Sequence, residues 1–267
     1  MTTPSPRKGR LDGLHVFITG ASRGIGRAIA IAMAEEGARL TLAATNQALL
    51  DEAVVECLPG AEGAHRTRVL NVTDRAACFA AISEAEAEAG SIDVLVNGAG
   101  IYSSFSFFDY TEDEFRRIME VNLYGSLHLM QAVLPHMIGR GWGRVINVAS
   151  AAGKWASPNQ AAYNVSKHAL IGLTRCVAQE IGESGVTVNA ICPGMVETDM
   201  LTGDYRRLEA VRDAPLDEVI APVLARVAMK RVLRPQEIAT LSVFLASAES
   251  SGMTGQSLVV DGGMLFV

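Results

Sequence analysis

The chain has 267 residues, and 23 Lys and Arg against 29 Asp and Glu give it a formal net charge of −6. This acidic balance argues against a general nucleic-acid-binding protein, which normally carries a basic excess. Hydrophobic residues make up 49% of the chain, enough for a large core, but no window of about 18 apolar residues predicts a membrane-spanning helix. The low charged fraction of 19% indicates either buried subunit contacts or an alanine-rich core.

Short apolar segments alternate along the chain with longer helical patterns. Strands are predicted at residues 15–19, 39–43, 66–70, 93–96, 144–148, 186–191 and 257–260. Helices are predicted at residues 27–36, 46–56, 74–89, 111–137, 161–183 and 235–246. Thr111 and Glu114 have the spacing of a capping box. The alternation predicts one domain at 10–267, a doubly wound, Rossmann-like parallel α/β sheet with helices on both faces.

Two segments fall outside this regular pattern. Residues 1–9 contain proline and basic residues with no apolar stretch behind them, which predicts a short mobile tail rather than a signal peptide. Residues 195–234, called the lid segment below, lack a clear pattern, and an irregular segment of that length favours a functional lid over a plain surface insertion. No cysteine has metal-binding spacing, so we expect reduced thiols in a cytoplasmic protein and no metal site.

A glycine-rich segment at 19–26, TGASRGIG, joins the first predicted strand to the first helix. Gly20 permits a tight turn, Gly24 lets the backbone approach a pyrophosphate, and Gly26 lets the helix pack on the strand. The start of the helix offers free amides to phosphate groups. The spacing differs from the usual G-x-G-x-x-G, but its place on the first strand predicts a dinucleotide site.

The end of the second strand normally selects between NAD and NADP, because an acidic residue there binds the ribose hydroxyls and repels a 2′-phosphate. Residues 42–46 read LAATN, and no acidic residue follows before Asp51. Arg23 in the glycine-rich segment is placed to pair with a 2′-phosphate. Both features favour NADP(H); the alternative is NAD(H), with Arg23 as a solvated charge.

Tyr163 and Lys167 are four residues apart on a predicted helix, which places the phenol and the ammonium on one face. The ammonium, together with a cationic oxidised nicotinamide, would lower the pKa of the tyrosine and suit it to proton exchange with a carbonyl compound. Such a pair is common on ordinary helices. Two further residues support a catalytic role for this pair. Ser150 ends the fifth strand, where ligand-facing residues lie. Asn122 lies in the middle of a predicted helix, where an asparagine side chain needs a hydrogen-bond partner.

These motifs occur in the order typical of short-chain dehydrogenases/reductases, and the chain resembles that family from residue 10 to residue 267. The matching positions are Thr19, Gly20, Gly24, Gly26, Asn97, Ala99, Gly100, Asn122, Ser150, Tyr163, Lys167, Pro193, Gly194 and Thr198. The resemblance implies a catalytic tetrad in which Ser150 orients the carbonyl and Tyr163 exchanges the proton. Lys167 would hold the nicotinamide ribose and lower the pKa of Tyr163, and Asn122 would anchor a proton-relaying water.

The resemblance also implies the residues that contact the dinucleotide. These are Gly20, Ser22, Arg23, Gly24, Ile25, Gly26, Thr45, Asn71, Val72, Asn97, Ala99, Gly100, Tyr163, Lys167, Pro193, Gly194, Val196 and Thr198. Two positions depart from the family pattern. Gly98 stands where the family usually has a second Asn, and Asn71 stands where it usually has an Asp, although an amide can still meet adenine.

Residues around the tetrad are candidates for the substrate pocket: Tyr102, Ala152, Trp155 and Gln160. The aromatic run at 102–108 suits either an apolar wall for an acyl or aryl ketone or core and subunit contacts. Segments at 150–154, 166–168 and 188–194 resemble bacterial β-ketoacyl and aromatic-polyketide ketoreductases.

The expected reaction is hydride transfer between NADP(H) and a ketone, with its secondary alcohol as the reduced partner. The ketone would be a 3-oxoacyl thioester or a small aryl or cyclic ketone. The alternatives are an NAD-dependent 3-hydroxyacyl or secondary-alcohol dehydrogenase and a non-enzymatic NADP-binding regulator. An acidic carrier protein is disfavoured as a partner because the chain itself is acidic. The resemblance implies a homotetramer, which suits the apolar C-terminus at 263–267.

Overall fold

The computed structural model describes residues 9–57, 65–203 and 215–267. Nearly all of the predicted tail, and the 204–214 part of the lid segment, lie outside the described residues. The strands are β1 (His15–Thr19), β2 (Arg39–Ala44), β3 (Arg66–Val69), β4 (Val94–Asn97), β5 (Gly143–Val148), β6 (Val186–Pro193) and β7 (Ser257–Val260). The helices are α1 (Gly24–Glu35), α2 (Gln47–Cys57), α3 (Arg75–Ala89), α4 (Glu112–Met119), α5 (Gly125–Arg140), α6 (Ala161–Glu180), α7 (Leu216–Leu224) and α8 (Pro235–Ala246). Within the described ranges, no helix is both long and apolar enough to cross a bilayer.

The seven strands form one parallel sheet in the order β3-β2-β1-β4-β5-β6-β7. The strand order changes direction at β1, which pairs with β2 on one side and with β4 on the other. At such a switch point the connections leave to opposite faces, and a crevice opens at the carboxyl ends of the strands. The topology confirms the predicted doubly wound sheet and indicates this crevice as the place to look for a ligand site.

Neighbouring residues of β1 point to opposite faces of the sheet and enter two separate apolar cores. Val16 and Ile18 pack with residues of α1 and α8, whereas Phe17 packs with residues of α3 and α5. All three side chains are fully buried, and burial of each contributes roughly 1.5–3 kcal/mol of hydrophobic stabilisation. The two cores place helices on both faces, as predicted.

The helix predicted at 111–137 is interrupted in the structure. α4 ends at Met119, a single π-helical turn occupies Glu120–Tyr124, and α5 begins at Gly125. A π turn is a rare local widening of a helix and frequently lies at a functional site. Here it contains Asn122, whose side chain leaves the helix for the crevice side of the sheet, as described below.

The predicted capping box at the start of α4 forms only in part. The Thr111 hydroxyl accepts a hydrogen bond from the Glu114 amide at 3.2 Å. The Glu114 carboxylate, however, accepts two hydrogen bonds from Arg117, both at 2.8 Å. A guanidinium one turn away therefore replaces the backbone amide as partner of the carboxylate. The acidic first turn still interacts favourably with the positive end of the helix dipole.

The lid segment leaves and rejoins the sheet edge at one place. Val196 and Leu233 form an isolated parallel bridge. The Leu233 amide donates to the Met195 carbonyl at 2.9 Å, and the Glu197 amide donates to the Leu233 carbonyl at 2.9 Å. Between these ends the structure describes α7, a helix that the sequence pattern does not predict. Both ends of the segment are therefore fixed beside the carboxyl end of β6.

His15 gives the fold a predicted sensitivity to acid. Its ring is fully buried, with Nδ1 2.7 Å from the Gly90 carbonyl and Nε2 2.9 Å from the Thr41 hydroxyl. Burial lowers the pKa of His15 below the 6.5 of an unfolded chain, and the neighbouring Arg39 adds to this effect. The unfolded state then binds the proton first, so the free energy of unfolding should fall as pH drops below 6.5, by at most about 1.4 kcal/mol per pH unit for one proton.

Urea unfolding at a series of pH values between neutral and mildly acidic tests this prediction. His15→Gln should show a shallower dependence than the wild type, because the buried titrating ring is gone. His168→Gln, which removes an exposed histidine, serves as the control and should keep the wild-type slope. Equal slopes for all three proteins would contradict the assignment.

Candidate active site

The candidate residues gather at the carboxyl edge of the sheet because each group directly follows a strand. The glycine-rich segment follows β1, Asn97 ends β4 and is followed by residues 98–100, Ser150 follows β5, and Pro193 ends β6. Since all strands are parallel, these ends share one edge of the sheet. The structure therefore brings together motifs that are far apart in the sequence.

The glycine-rich segment has the conformation of a tight cradle. Gly20 has a φ of +66°, and a Cβ on Gly26 would lie 2.2 Å from the Gly20 carbonyl oxygen. Only glycine fits at this contact, which lets α1 start directly against β1. Arg23 precedes α1 in an extended conformation and makes no side-chain cap to its first turn. The amides of that turn are thus available to phosphate oxygens, and this part of the chain fits a dinucleotide.

The segment after β4 lies against the glycine-rich segment. The Thr19 hydroxyl accepts hydrogen bonds from the amides of Gly98 at 3.2 Å and Ala99 at 3.3 Å. A Cβ on Gly98 would lie 2.6 Å from the Thr19 carbonyl oxygen. This close approach explains why glycine stands at 98, the first of the two departures from the family pattern.

The residues expected at the adenosine end lie around the exposed ends of β2 and β3. Thr45 is exposed immediately after β2, and Val72 is buried behind Asn71. The Asn71 side-chain oxygen accepts hydrogen bonds from the Thr73 amide at 3.1 Å and the Thr73 hydroxyl at 3.0 Å. These bonds assign the amide orientation, with the oxygen turned to Thr73. Position 71 therefore offers a ligand the amide NH₂, a donor, where a carboxylate would be an acceptor.

Asn122 in the π turn is completely buried and fully engaged. Its Oδ1 accepts from the Ile101 amide at 2.8 Å, and its Nδ2 donates to the Ile101 carbonyl at 2.9 Å. Nδ2 also donates to the Ser166 hydroxyl at 3.0 Å, and that hydroxyl donates to the Tyr163 carbonyl at 2.7 Å. Sequence reasoning did not select Ser166. Asn122 thus connects the segment after β4 with the turn of α6 that carries Tyr163.

Ser150 and Tyr163 form the exposed end of the tetrad. Ser150 caps a short 3-10 turn by accepting from the Ala152 amide at 3.1 Å. Burial raises the pKa of Tyr163, and the nearby Ser150 side chain opposes that rise. Desolvation therefore outweighs the other contributions of the chain itself. The lower pKa expected from the ammonium together with a cationic oxidised nicotinamide stays a prediction.

Lys167 lies one turn further along α6 and is only 4% exposed. Its Nζ donates to the Val148 carbonyl at 2.9 Å and lies 5.7 Å from the centroid of the Tyr163 ring. Burial lowers the pKa of Lys167 to about 8. A Cβ on Gly100 would lie 3.5 Å from both the Lys167 Nζ and the Asn122 Oδ1. The lysine, the asparagine and the backbone of the glycine therefore converge on one point.

A series of buried side-chain hydrogen bonds supports this arrangement. The Asn97 amide donates to Asn147 Oδ1 at 2.8 Å, and the Asn147 amide donates to the Thr174 hydroxyl at 2.9 Å. These hydrogen bonds join β4, β5 and α6, and so connect the helix that carries Tyr163 and Lys167 to residues 97–100. Sequence reasoning missed Asn147 and Thr174, although an asparagine inside an apolar strand signals a buried group that needs partners.

The residues expected at the nicotinamide end follow β6. Gly194 packs against Asp261 so closely that a Cβ would lie 2.6 Å from the Asp261 Cβ. Val196 is buried in the bridge at the base of the lid segment. The Thr198 hydroxyl donates to the Val196 carbonyl at 3.3 Å and accepts from the Leu201 amide at 3.4 Å. The start of the lid segment is thus held in a defined turn at this end of the crevice.

The four residues expected in the substrate pocket have different surroundings. The Tyr102 ring packs edge-on against the Tyr163 ring, with centroids 5.1 Å apart. Ala152 is buried in the turn after Ser150. The Trp155 ring lies under the Arg226 guanidinium at 4.4 Å, which connects the lid segment with the loop between Ser150 and Tyr163. The Gln160 side chain accepts from the Ser157 hydroxyl at 2.7 Å, so it stabilises this loop from within.

The aromatic run does not form core. Phe107 and Phe108 are 71% and 91% exposed. Phe105 is tied by its amide to the Asn159 carbonyl at 2.9 Å, which joins the aromatic run to the loop that precedes Tyr163. The exposure of Phe107 and Phe108 excludes a role in the core. An apolar wall of the cleft and a contact between subunits are the interpretations that remain.

Comparison with known proteins relates this site to enzymes. A family model described as enoyl-(acyl carrier protein) reductase matches residues 20–265. The oxidoreductase UcpA of Escherichia coli is 38% identical over 256 residues, 96% of this chain and 95% of that protein. The 3-oxoacyl-[acyl-carrier-protein] reductase FabG of Thermotoga maritima is 36% identical over 256 residues, 96% of this chain and 99% of that protein.

Solved structures share the fold over the same length. Levodione reductase superposes with a TM-score of 0.90 at 32% sequence identity, covering 95% of this chain and 98% of its own. A variant of actinorhodin polyketide ketoreductase, solved with NADPH, superposes with a TM-score of 0.89 at 30% identity, covering 94% of this chain and 97% of its own.

Proposed function

The chain belongs to the short-chain dehydrogenase/reductase family and is an NAD(P)-dependent oxidoreductase, and on that premise we propose that it reduces a ketone to its secondary alcohol with NADPH. The observation that carries the proposal is the convergence of Asn122, Ser150, Tyr163 and Lys167 beside Gly100 at the carboxyl edge of the sheet. The crevice would hold NADPH, which would supply the hydride for the carbonyl carbon.

Tyr163 and Ser150 handle the carbonyl oxygen. The Ser150 hydroxyl is placed to hydrogen-bond the oxygen and to stabilise the negative charge that develops on it. Because burial raises the pKa of Tyr163, its phenol is protonated at neutral pH and donates a proton to that oxygen. In the reverse direction, the same group would accept the proton from the alcohol.

Lys167 and Asn122 restore the proton and hold the geometry. The Lys167 ammonium faces the Val148 carbonyl and the region beside Gly100, where a ribose hydroxyl of the cofactor would lie. Its pKa of about 8 lets it pass a proton on near neutral pH. Asn122 joins this region to α6 through Ser166, so it keeps the tyrosine-bearing turn in place.

NADP(H) is proposed over NAD(H) because the ends of β2 and the glycine-rich segment lack the acid that would repel a 2′-phosphate. Arg23 is exposed and beside the start of α1, and Thr45 is exposed after β2. A similar structure was solved with NADPH.

None of the four cysteines is disulfide-bonded, which supports a reducing compartment such as the cytoplasm.

The proposed substrate is a 3-oxoacyl thioester or a small aryl or cyclic ketone. A similar enzyme is named for a 3-oxoacyl carrier-protein substrate, and two similar structures are named for levodione and polyketide reduction. In this chain the Tyr102 ring beside Tyr163 gives the reacting carbonyl an apolar neighbour. The net charge of −6 opposes docking of an acidic carrier protein, so we favour a coenzyme A thioester or a free ketone.

Oxidation of NADPH by the purified protein tests the proposal, with acetoacetyl-CoA and a panel of aryl and cyclic ketones. NADH is run in parallel, as are secondary alcohols with NADP⁺. We expect turnover with NADPH and at least one ketone, and slower turnover with NADH. Faster turnover of alcohols with NAD⁺ would support a dehydrogenase instead.

The protein is further proposed to be a homotetramer, with the C-terminus at a subunit contact. The Asp261 carboxylate accepts three backbone hydrogen bonds, from Gly263, Met264 and Leu265, and so fixes the tail. Phe266 and Val267 are nevertheless 89% and 80% exposed. Ordered apolar side chains in solvent are typical of a contact surface.

Deletion of residues 264–267 should therefore reduce the assembly state, as measured by light scattering coupled to size exclusion. Replacement of Phe266 and Val267 by serine, which keeps the length of the chain, should have the same effect. An unchanged mass in both variants would show that the tail makes no essential subunit contact.

A further inference from the structure

The first turn of the lid segment lies across the glycine-rich segment. A Cβ on Gly24 would lie 3.2 Å from the Thr198 Cγ2, so the two segments are in contact at the start of α1. The next residue, Asp199, carries its carboxylate 3.9 Å from the Arg23 guanidinium. The side chains of Arg23 and Asp199 are 68% and 78% exposed. The residue proposed to bind the 2′-phosphate is thus already paired with an acid from the lid segment.

We propose that Asp199 sets the affinity for NADPH relative to NADH, because it competes with the 2′-phosphate for Arg23. The inference rests on the proposed function, in which Arg23 binds that phosphate. A phosphate bound to Arg23 would share the guanidinium with this carboxylate. Asp199 therefore neutralises part of the attraction and adds a repulsion of its own. NADH has no 2′-phosphate, so its affinity is independent of this pair.

Hydrogen bonds around Asp199 fix the backbone that carries its carboxylate. The Thr198 hydroxyl accepts from the Leu201 amide at 3.4 Å, and the Thr198 carbonyl accepts from the Thr202 amide at 3.0 Å. The preceding Glu197 amide is bound to the Leu233 carbonyl at 2.9 Å. The turn that carries Asp199 is thus anchored on both sides, which keeps its backbone beside the start of α1.

The expected effect is moderate because both side chains are largely in solvent. Exposed ion pairs are worth little individually, and salt screens them. The doubly charged phosphate increases the interaction, so removal of the carboxylate charge should tighten NADPH binding about three- to tenfold at low ionic strength. The same change should leave NADH binding as it is.

Titration of the full-length protein with NADPH and with NADH, followed by nucleotide fluorescence, measures both dissociation constants without turnover. Asp199→Asn is the test variant. Glu197→Gln is its matched control, because Glu197 is exposed two residues earlier and has the same charge. We expect Asp199→Asn to bind NADPH about three- to tenfold more tightly, a gain that shrinks at high salt, while Glu197→Gln binds both nucleotides as the wild type does.

Three outcomes would overturn the inference: unchanged NADPH affinity in Asp199→Asn, equal tightening for both nucleotides, or equal tightening in Glu197→Gln. Arg23→Gln separates these from a failure of the proposed function, since it should weaken NADPH binding and spare NADH. If Arg23→Gln leaves NADPH binding unchanged, or if the wild type binds neither nucleotide, the proposed NADP(H) site itself fails.

Discussion

Replacement of Tyr163 by phenylalanine is expected to lower kcat/KM for ketone reduction by about 10²- to 10⁴-fold, the range that a positioned acid contributes. The substitution removes only the hydroxyl that lies near Ser150 and would donate to the carbonyl oxygen. The phenylalanine ring keeps the edge-on contact with Tyr102. NADPH affinity, measured by fluorescence, and the thermal unfolding midpoint should therefore stay close to the wild type.

Tyr124→Phe is the matched control, because Tyr124 is a half-exposed tyrosine at the end of the π turn. Loss of its hydroxyl should leave turnover intact. If Tyr163→Phe retained wild-type turnover, another group would have to supply the proton, and the assignment of the tetrad would fail. If it lost NADPH binding together with turnover, the hydroxyl would serve to bind the cofactor rather than to donate the proton.

The sheet could be predicted from the sequence because its strands carry their own signal. Val16, Phe17 and Ile18 form a continuous apolar run, as a parallel strand buried on both faces requires. The glycines after β1 mark the turn for the same local reason, since only glycine fits beside the Gly20 carbonyl. Where backbone sterics and burial act over a few residues, the pattern and the structure agree.

The interruption around Asn122 could not be predicted in this way. The pattern at 111–137 is continuous and helical, and the π turn owes its stability to partners distant in sequence, Ile101 and Ser166. The helix α7 could not be predicted because Pro215 lies before it and Pro222 lies within it, and proline normally indicates the end of a helix. Tertiary contacts thus stabilise the π turn, and spacing along the chain does not record them.

The candidate site shows the same division. The positions of Ser150, Tyr163 and Lys167 follow from strand ends and from helical spacing. The pKa of Tyr163 does not follow from strand ends or helical spacing, because it depends on how deeply the folded chain buries the phenol. A neighbouring ammonium suggests a lowered pKa, whereas desolvation raises it, and only the packed structure decides between the two.

Lys167→Met is expected to abolish most turnover while it leaves the protein as stable as the wild type or more stable. The buried ammonium has one protein acceptor in the described residues, the Val148 carbonyl. Burial that lowers the pKa of Lys167 from 10.5 to about 8 corresponds to a cost on the order of 3 kcal/mol for the charged form. Methionine fills a similar volume without that cost.

The pH dependence of the free energy of unfolding distinguishes the cost of burying the Lys167 charge from an effect of side-chain packing. The folded-state pKa of Lys167 lies below its unfolded value, so the cost is fully present below pH 8 and disappears as pH rises towards 10.5. Wild-type stability should therefore increase over this interval relative to Lys167→Met, whose curve lacks the contribution. Lys154→Met, at a partly exposed lysine, should keep the wild-type curve. A lower stability of Lys167→Met at neutral pH would mean that the ammonium stabilises the fold; a higher one would mean that the chain gives up stability to keep a charge beside Tyr163.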